Sequence, residues 1–179
     1  MRVLGVSGWS GSGKTVLITR LIPVLIARGL SVATIKHAHH AFDIDVPGKD
    51  SFEHRAAGAS EVLISSACRV AQIRELRGAP EPRLADLLRR LSPCDLVLVE
   101  GFKREAHPKL EVVRSATQRP PMHPADASVV AVASDIAFSA AHPPRAHIDD
   151  IDAIGDLVVR HARPLGEVLQ RLERDGATQ

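Results

Sequence analysis

Residues 8 to 15 read Gly8-Trp9-Ser10-Gly11-Ser12-Gly13-Lys14-Thr15, which is the pattern G-x-x-x-x-G-K-[ST]. These residue types suit a chain of phosphates. Gly11 and Gly13 lack a Cβ and tolerate positive φ, so a tight turn can aim successive backbone N–H groups at one anion. A helix opening directly behind the turn adds its N-terminal partial positive charge. The Lys14 ammonium is expected to reach the β- and γ-phosphates of a nucleotide, and the Thr15 hydroxyl to ligate Mg²⁺. Gly8, Ser10, Gly11, Ser12, Gly13, Lys14 and Thr15 form the candidate nucleotide-binding set, with Lys14 also a candidate catalytic residue.

Such a loop needs an acidic partner at the end of a neighbouring strand. Leu96-Val97-Leu98-Val99 followed by Glu100-Gly101 supplies one, with Glu where Asp is commoner. Glu100 is the candidate second metal-side and catalytic residue, holding Mg²⁺ through a water or orienting a nucleophilic water. Asp95 is the rival carboxylate, but it lies at the opposite strand end, roughly 17 Å away at the usual rise. Ligands sit at the carboxyl ends of strands, so Glu100 is preferred.

The same rule points to Ser134-Asp135, which follows Val129–Ala133. A carboxylate there can accept from both N1–H and N2–H of guanine. The usual Asn-Lys-x-Asp is absent, and a helix cap or a solvated turn is the other reading of Asp135. Lys36-His37-Ala38-His39-His40, then Asp43, Asp45, Lys49 and Asp50, follow the second strand. Alternating histidines in a loop impose no fixed ligand geometry, which disfavours zinc. A polar segment beside the γ-phosphate or a substrate-contact surface fits better. Lys103, Arg104, Lys109, Arg114 and Arg119 face only Glu105 and Glu111, a local basic excess that could bind an anionic second ligand or form an ordinary solvated loop.

Short apolar runs alternating with amphipathic ones position these groups, a pattern that favours an α/β fold. Strands are expected at Val3–Ser7, Ser31–Lys36, Ala59–Ser65, Cys68–Leu76, Leu96–Val99, Lys109–Arg114 and Val129–Ala133. Helices are expected at Lys14–Arg28, with Gly29 as C-cap and Pro23 kinking it or removing one bond. Further helices fall at Asp50–Gly58 with Asp50 as cap, Arg83–Leu91, Asp149–His161 and Leu165–Arg174. Residues 1–175 are expected to form one domain, with 176–179 a frayed tail.

Composition narrows the function classes. The chain of 179 residues carries a net charge of +2, too balanced for a general polyanion binder. Aromatics are 3% with no Tyr, so a base-stacking nucleic-acid surface is not expected. Cys68 and Cys94 are 26 residues apart and match no metal or redox spacing, so both are expected to be reduced, buried, small apolar residues. No apolar run approaches a membrane span, and the N-terminal run is too short for a signal peptide; a cytoplasmic protein is the expectation.

Taken together, Trp9–Thr15, Ile35–His40, Pro47–Ser51, Leu96–Lys103 and Ala131–Asp135 resemble the molybdopterin-guanine dinucleotide biosynthesis protein B family. The resemblance implies a P-loop NTPase fold with a mostly parallel central sheet flanked by helices. It further implies a homodimer joined through protruding β structure. The implied role is a GTP- and Mg²⁺-dependent accessory partner of the guanylyltransferase that attaches GMP to molybdopterin, with weak GTP hydrolysis at most. Direct contact with molybdopterin is left open. The family's phosphate residues carry over to Gly11, Ser12, Gly13, Lys14 and Thr15, and its acidic strand end to Glu100. Trp stands at position 9, where related loops carry a second lysine, so a lysine reaching across a dimer is not supported. A P-loop small-molecule kinase and a nucleotide-binding module without turnover are the alternatives.

Overall fold

A computed structural model describes residues 1–38, 42–137 and 143–176; His39, His40 and positions 177–179 of the expected tail lie outside the described residues. The chain divides into two compact units, Met1–His37 with Leu84 onward, and Ala38–Arg83.

The first unit is built on a seven-stranded sheet. Its strands are β1 (Arg2–Ser7), β2 (Val32–Lys36), β5 (Leu96–Glu100), β6 (Lys109–Val113), β7 (Val129–Ser134), β8 (Arg145–His147) and β9 (Arg163–Pro164). The order is β2-β5-β1-β6-β7-β8, all parallel. β9 pairs antiparallel with Arg2 and Val3 of β1, and β6 takes up the same edge from Gly5 onward. Sequence patterning misses β8 and β9, because strands of three and two residues carry no apolar alternation. The helices are α1 (Lys14–Ala27), α3 (Leu84–Arg90), α4 (Ile151–His161) and α5 (Leu165–Gly176). No helix among the described residues is long and apolar enough to cross a membrane.

Side-chain alternation gives the sheet two apolar faces. Leu4, Val6, Leu98, Leu110 and Val112 pack with Leu17, Leu21 and Leu25 of α1 and Ile154 and Val158 of α4. Val3, Val97 and Val99 pack on the other face with Leu84 and Leu88 of α3 and Val168 and Leu172 of α5. α1 runs unbroken through Pro23, which lacks only the N–H owed to the preceding turn. It stops at a Schellman motif: Gly29, at φ 82°, donates to Ile26 and Leu30 donates to Leu25. α1 is tied to α4 by Arg28, which bonds Asp156 at 2.8 Å and lies against Gly155, where a Cβ would come within 3.0 Å of the guanidinium. Asp150 caps α4 by accepting from Ala153 N–H.

The second unit holds α2 (Asp50–Ala56) and the hairpin β3 (Glu61–Ser65) and β4 (Val70–Arg74), joined by a turn in which Ser66 N–H donates to Arg69. Cys68 sits in that turn and is exposed, not buried as expected, because a hairpin tip has no packing partner; Cys94 is half-buried. Asp50 does not cap α2. Lys49 holds the N-cap position, and Asp50 is the first helical residue. The neighbouring loop is held instead by Arg55, which reaches Asp43, Asp45 and Glu75. A guanidinium with five donors can serve three carboxylates at once, which a local capping pattern does not reveal.

Candidate functional site

The Gly8–Thr15 loop joins the end of β1 to the start of α1, the strand–loop–helix context its spacing requires. Gly11 and Gly13 have φ of 78° and 85°. A Cβ at either would meet nothing within 4 Å, so backbone conformation rather than space demands glycine there. Gly8 differs: a Cβ would sit 2.6 Å from Ser12 Oγ and from the Val112 carbonyl of β6. The hydroxyls of Ser7 and Ser12 are buried with no hydrogen-bond partner. Ser10 is exposed on the turn. Lys14 curls over the loop and donates to the carbonyls of Gly8 at 3.1 Å and Trp9 at 3.0 Å.

Parallel pairing aligns β2, β5 and β1, with Lys36 opposite Glu100 and Glu100 opposite Val6. The strand ends therefore gather beside the loop. Thr15 Oγ1 donates to Glu100 Oε1 at 2.7 Å, and Lys36 Nζ lies 3.7 Å from Glu100 Oε2. The Glu100 side chain is only 13% exposed. Gly101, at φ 97°, lies so close to β2 that a Cβ would come within 2.9 Å of His37 Cβ. Phe102 follows, also left-handed at φ 49°, with its ring 4.9 Å from the His37 ring. This reversal carries Lys103 back over the loop, its ammonium 5.1 Å from the Trp9 ring centroid. Burial pushes the Lys14 ammonium below the ordinary lysine value, Lys103 lowers it further, and Glu100 opposes both. Lys36 belongs to the polar segment expected beside the γ-phosphate, though not to the nucleotide-binding set. Trp9 lies inside the loop but outside that set, and its residue type carries no phosphate-binding signal.

Other expected groups stand apart. Asp95 accepts from the N–H and hydroxyl of Ser31, tying β5 to the start of β2 at the far end of the sheet. Ser134 ends β7 and Asp135 follows it, two strands from β1 on the side away from Glu100. Ser134 is buried, and its hydroxyl accepts from Ile136 N–H. Asp135 accepts from Ser115 N–H at 2.8 Å and Ser115 Oγ at 3.0 Å, and these bonds hold its carboxyl below the usual range. Two of the charges counted at 101–119, one of each sign, are withdrawn from the surface, so the expected basic excess is unchanged but rests on fewer groups. Lys109 and Glu111 are buried within central β6: Lys109 pairs with Asp126, and Glu111 accepts from Met122 N–H and His123 N–H. A strand covered on both edges and both faces turns its charges inward, so neither residue is available to an anionic ligand.

Thr15 and Glu100 offer a hard cation two oxygens, and the unsatisfied Ser12 hydroxyl and the open glycine turn suit an anion beside them. The donor set fits Mg²⁺ and phosphate.

A parallel sheet flanked by helices, with the glycine loop between its first strand and helix, defines a P-loop NTPase-like α/β protein. Within that class the chain belongs to the MobB family: the model for molybdopterin guanine dinucleotide synthesis protein B matches residues 3–135. It is 42% identical over 160 residues to the molybdopterin-guanine dinucleotide biosynthesis adapter protein of Escherichia coli K12, covering 88% of this chain and 91% of that one. It is 43% identical to the Haemophilus influenzae adapter over 136 residues, 74% of each chain. The crystal structure of Bacillus subtilis MobB is similar, with a TM-score of 0.68 at 26% identity, covering 91% of this chain and 99% of that one.

Proposed function

We propose that this chain is a cytoplasmic GTP-binding adapter in molybdopterin-guanine dinucleotide biosynthesis. It acts as a homodimer with the guanylyltransferase that attaches GMP to molybdopterin, and hydrolyses GTP slowly in the presence of Mg²⁺. The supporting observation is the 2.7 Å contact between Thr15 Oγ1 and Glu100 Oε1 at the mouth of the glycine loop. In this reading the loop N–H groups and Lys14 hold the phosphates. Thr15 and Glu100 hold Mg²⁺, which neutralises phosphate charge. Asp135 contacts the base and the buried Ser134 fixes the strand end behind it, β7 lying two strands, about 10 Å, from β1. The curated relatives, named as adapters, support the pathway role.

Isothermal titration with GTP and with ATP, each with Mg²⁺, tests the nucleotide: GTP is expected to bind more tightly, and tighter ATP binding rules the base assignment out. A pull-down with GTP present is expected to retrieve the guanylyltransferase, and its absence from the bound fraction counts against the partner.

A further inference from the structure

We infer that Lys103 is a phosphate-reading residue, parked on the Trp9 ring and transferred to the terminal phosphate when a nucleoside triphosphate occupies the loop. The inference rests on the nucleotide reading above and adds a residue to it.

Lys103 is half-buried, yet among the described residues no carboxylate lies within ion-pair distance of its ammonium. Its ammonium lies instead over the face of an indole, 5.1 Å from the ring centroid, and that indole belongs to the candidate phosphate loop itself. The Trp9 ring is fixed from two other directions: its N–H donates to the Pro120 carbonyl at 2.8 Å, and the Arg119 guanidinium lies 5.4 Å from its centroid. Lys103 is therefore held by a rigid, uncharged platform rather than by a competing anion.

The placement is specific. Gly101 and Phe102, both left-handed, reverse the chain directly after Glu100. That reversal brings Lys103 close enough for its charge to act on Lys14. Two ammonium groups sharing a mouth repel, and a polyphosphate relieves the repulsion by lying between them. A charge-assisted bond to phosphate is stronger than a cation resting on a ring, so the transfer runs toward the ligand. Lys14 is anchored at the base of the loop, whereas Lys103 enters from outside it. The phosphate farthest from the nucleoside is therefore the one Lys103 meets. A diphosphate leaves Lys103 on Trp9.

Trp9 is the sole Trp and there is no Tyr, so intrinsic fluorescence reports on this ring alone. The test titrates the full-length wild type and Lys103→Met with GTP–Mg²⁺ and GDP–Mg²⁺, following both fluorescence and heat. For the wild type, GTP is expected to change Trp9 emission and GDP to change it much less. Lys103→Met is expected to bind GTP about tenfold more weakly and GDP as the wild type does. Unaltered GDP binding shows that the variant is folded, and a merely structural role would weaken both nucleotides alike. Equal losses for GTP and GDP, or no loss for either, overturn the role of Lys103 while leaving the loop assignment intact. Absence of binding by the wild type overturns the nucleotide reading, and this one with it.

Discussion

At the scale of single residues, a carboxylate and a histidine separate composition from role. Asp135 already spends both oxygens on Ser115. Each oxygen keeps a second lone pair, so guanine recognition must add to these bonds rather than replace them. Asp135→Asn keeps an acceptor for Ser115 but cannot accept from two guanine N–H groups together. Its preference for GTP over ATP is expected to fall about tenfold with ATP affinity unchanged, as read by calorimetric titration. His107 is fully buried beside Gly5, where a Cβ would lie 2.3 Å from its Nε2. Burial, and then the Lys109 ammonium, push its pKa from 6.5 to about 3, with Asp126 opposing. Between those values the unfolded chain binds the proton and the folded one does not, so stability falls as pH drops from 6.5 toward 3. The loss is on the order of a few kcal/mol. His107→Leu removes that share, and urea midpoints at pH 7 and pH 5 are expected to differ less than in the wild type; an equal difference refutes the buried neutral imidazole.

At the scale of elements, helix ends divide into those written locally and those settled by packing. α1 begins in the glycine loop and ends at Gly29, and both signals lie in consecutive residues. Asp150 is likewise a local cap, accepting from Ala153 N–H. Asp150→Ala is expected to cost about 1 kcal/mol by denaturant unfolding. α2 departs from this pattern. Its cap position is Lys49, and the carboxylates before it, Asp43 and Asp45, turn to Arg55. An arginine ten or twelve residues away has no signature in an N-cap pattern.

At the scale of the whole chain, the homodimer is the proposal with the clearest surface requirement. Two-stranded hairpins are marginal alone. β3 and β4 leave Leu63 and Val70 68% and 66% exposed, with Ile64 also exposed. If this hairpin joins two copies, Leu63→Asp with Val70→Asp is expected to halve the native mass by light scattering while far-UV circular dichroism is retained. A double variant that keeps the wild-type mass removes the hairpin from the interface.

The sequence alone determined the loop, the strand before it, the helix behind it and the acidic end of β5, because each is written in consecutive residues with a distinctive backbone or apolar pattern. Family membership followed from the same stretches. Only the tertiary structure decided which charges face solvent and which groups meet. It buried Lys109 and Glu111 because β6 is a central strand. It set Lys36 opposite Glu100 through parallel register, and it placed Lys103 over Trp9 through two left-handed residues. Strand order and register arise from loop paths and packing between residues far apart in the chain, and local spacing carries no record of them.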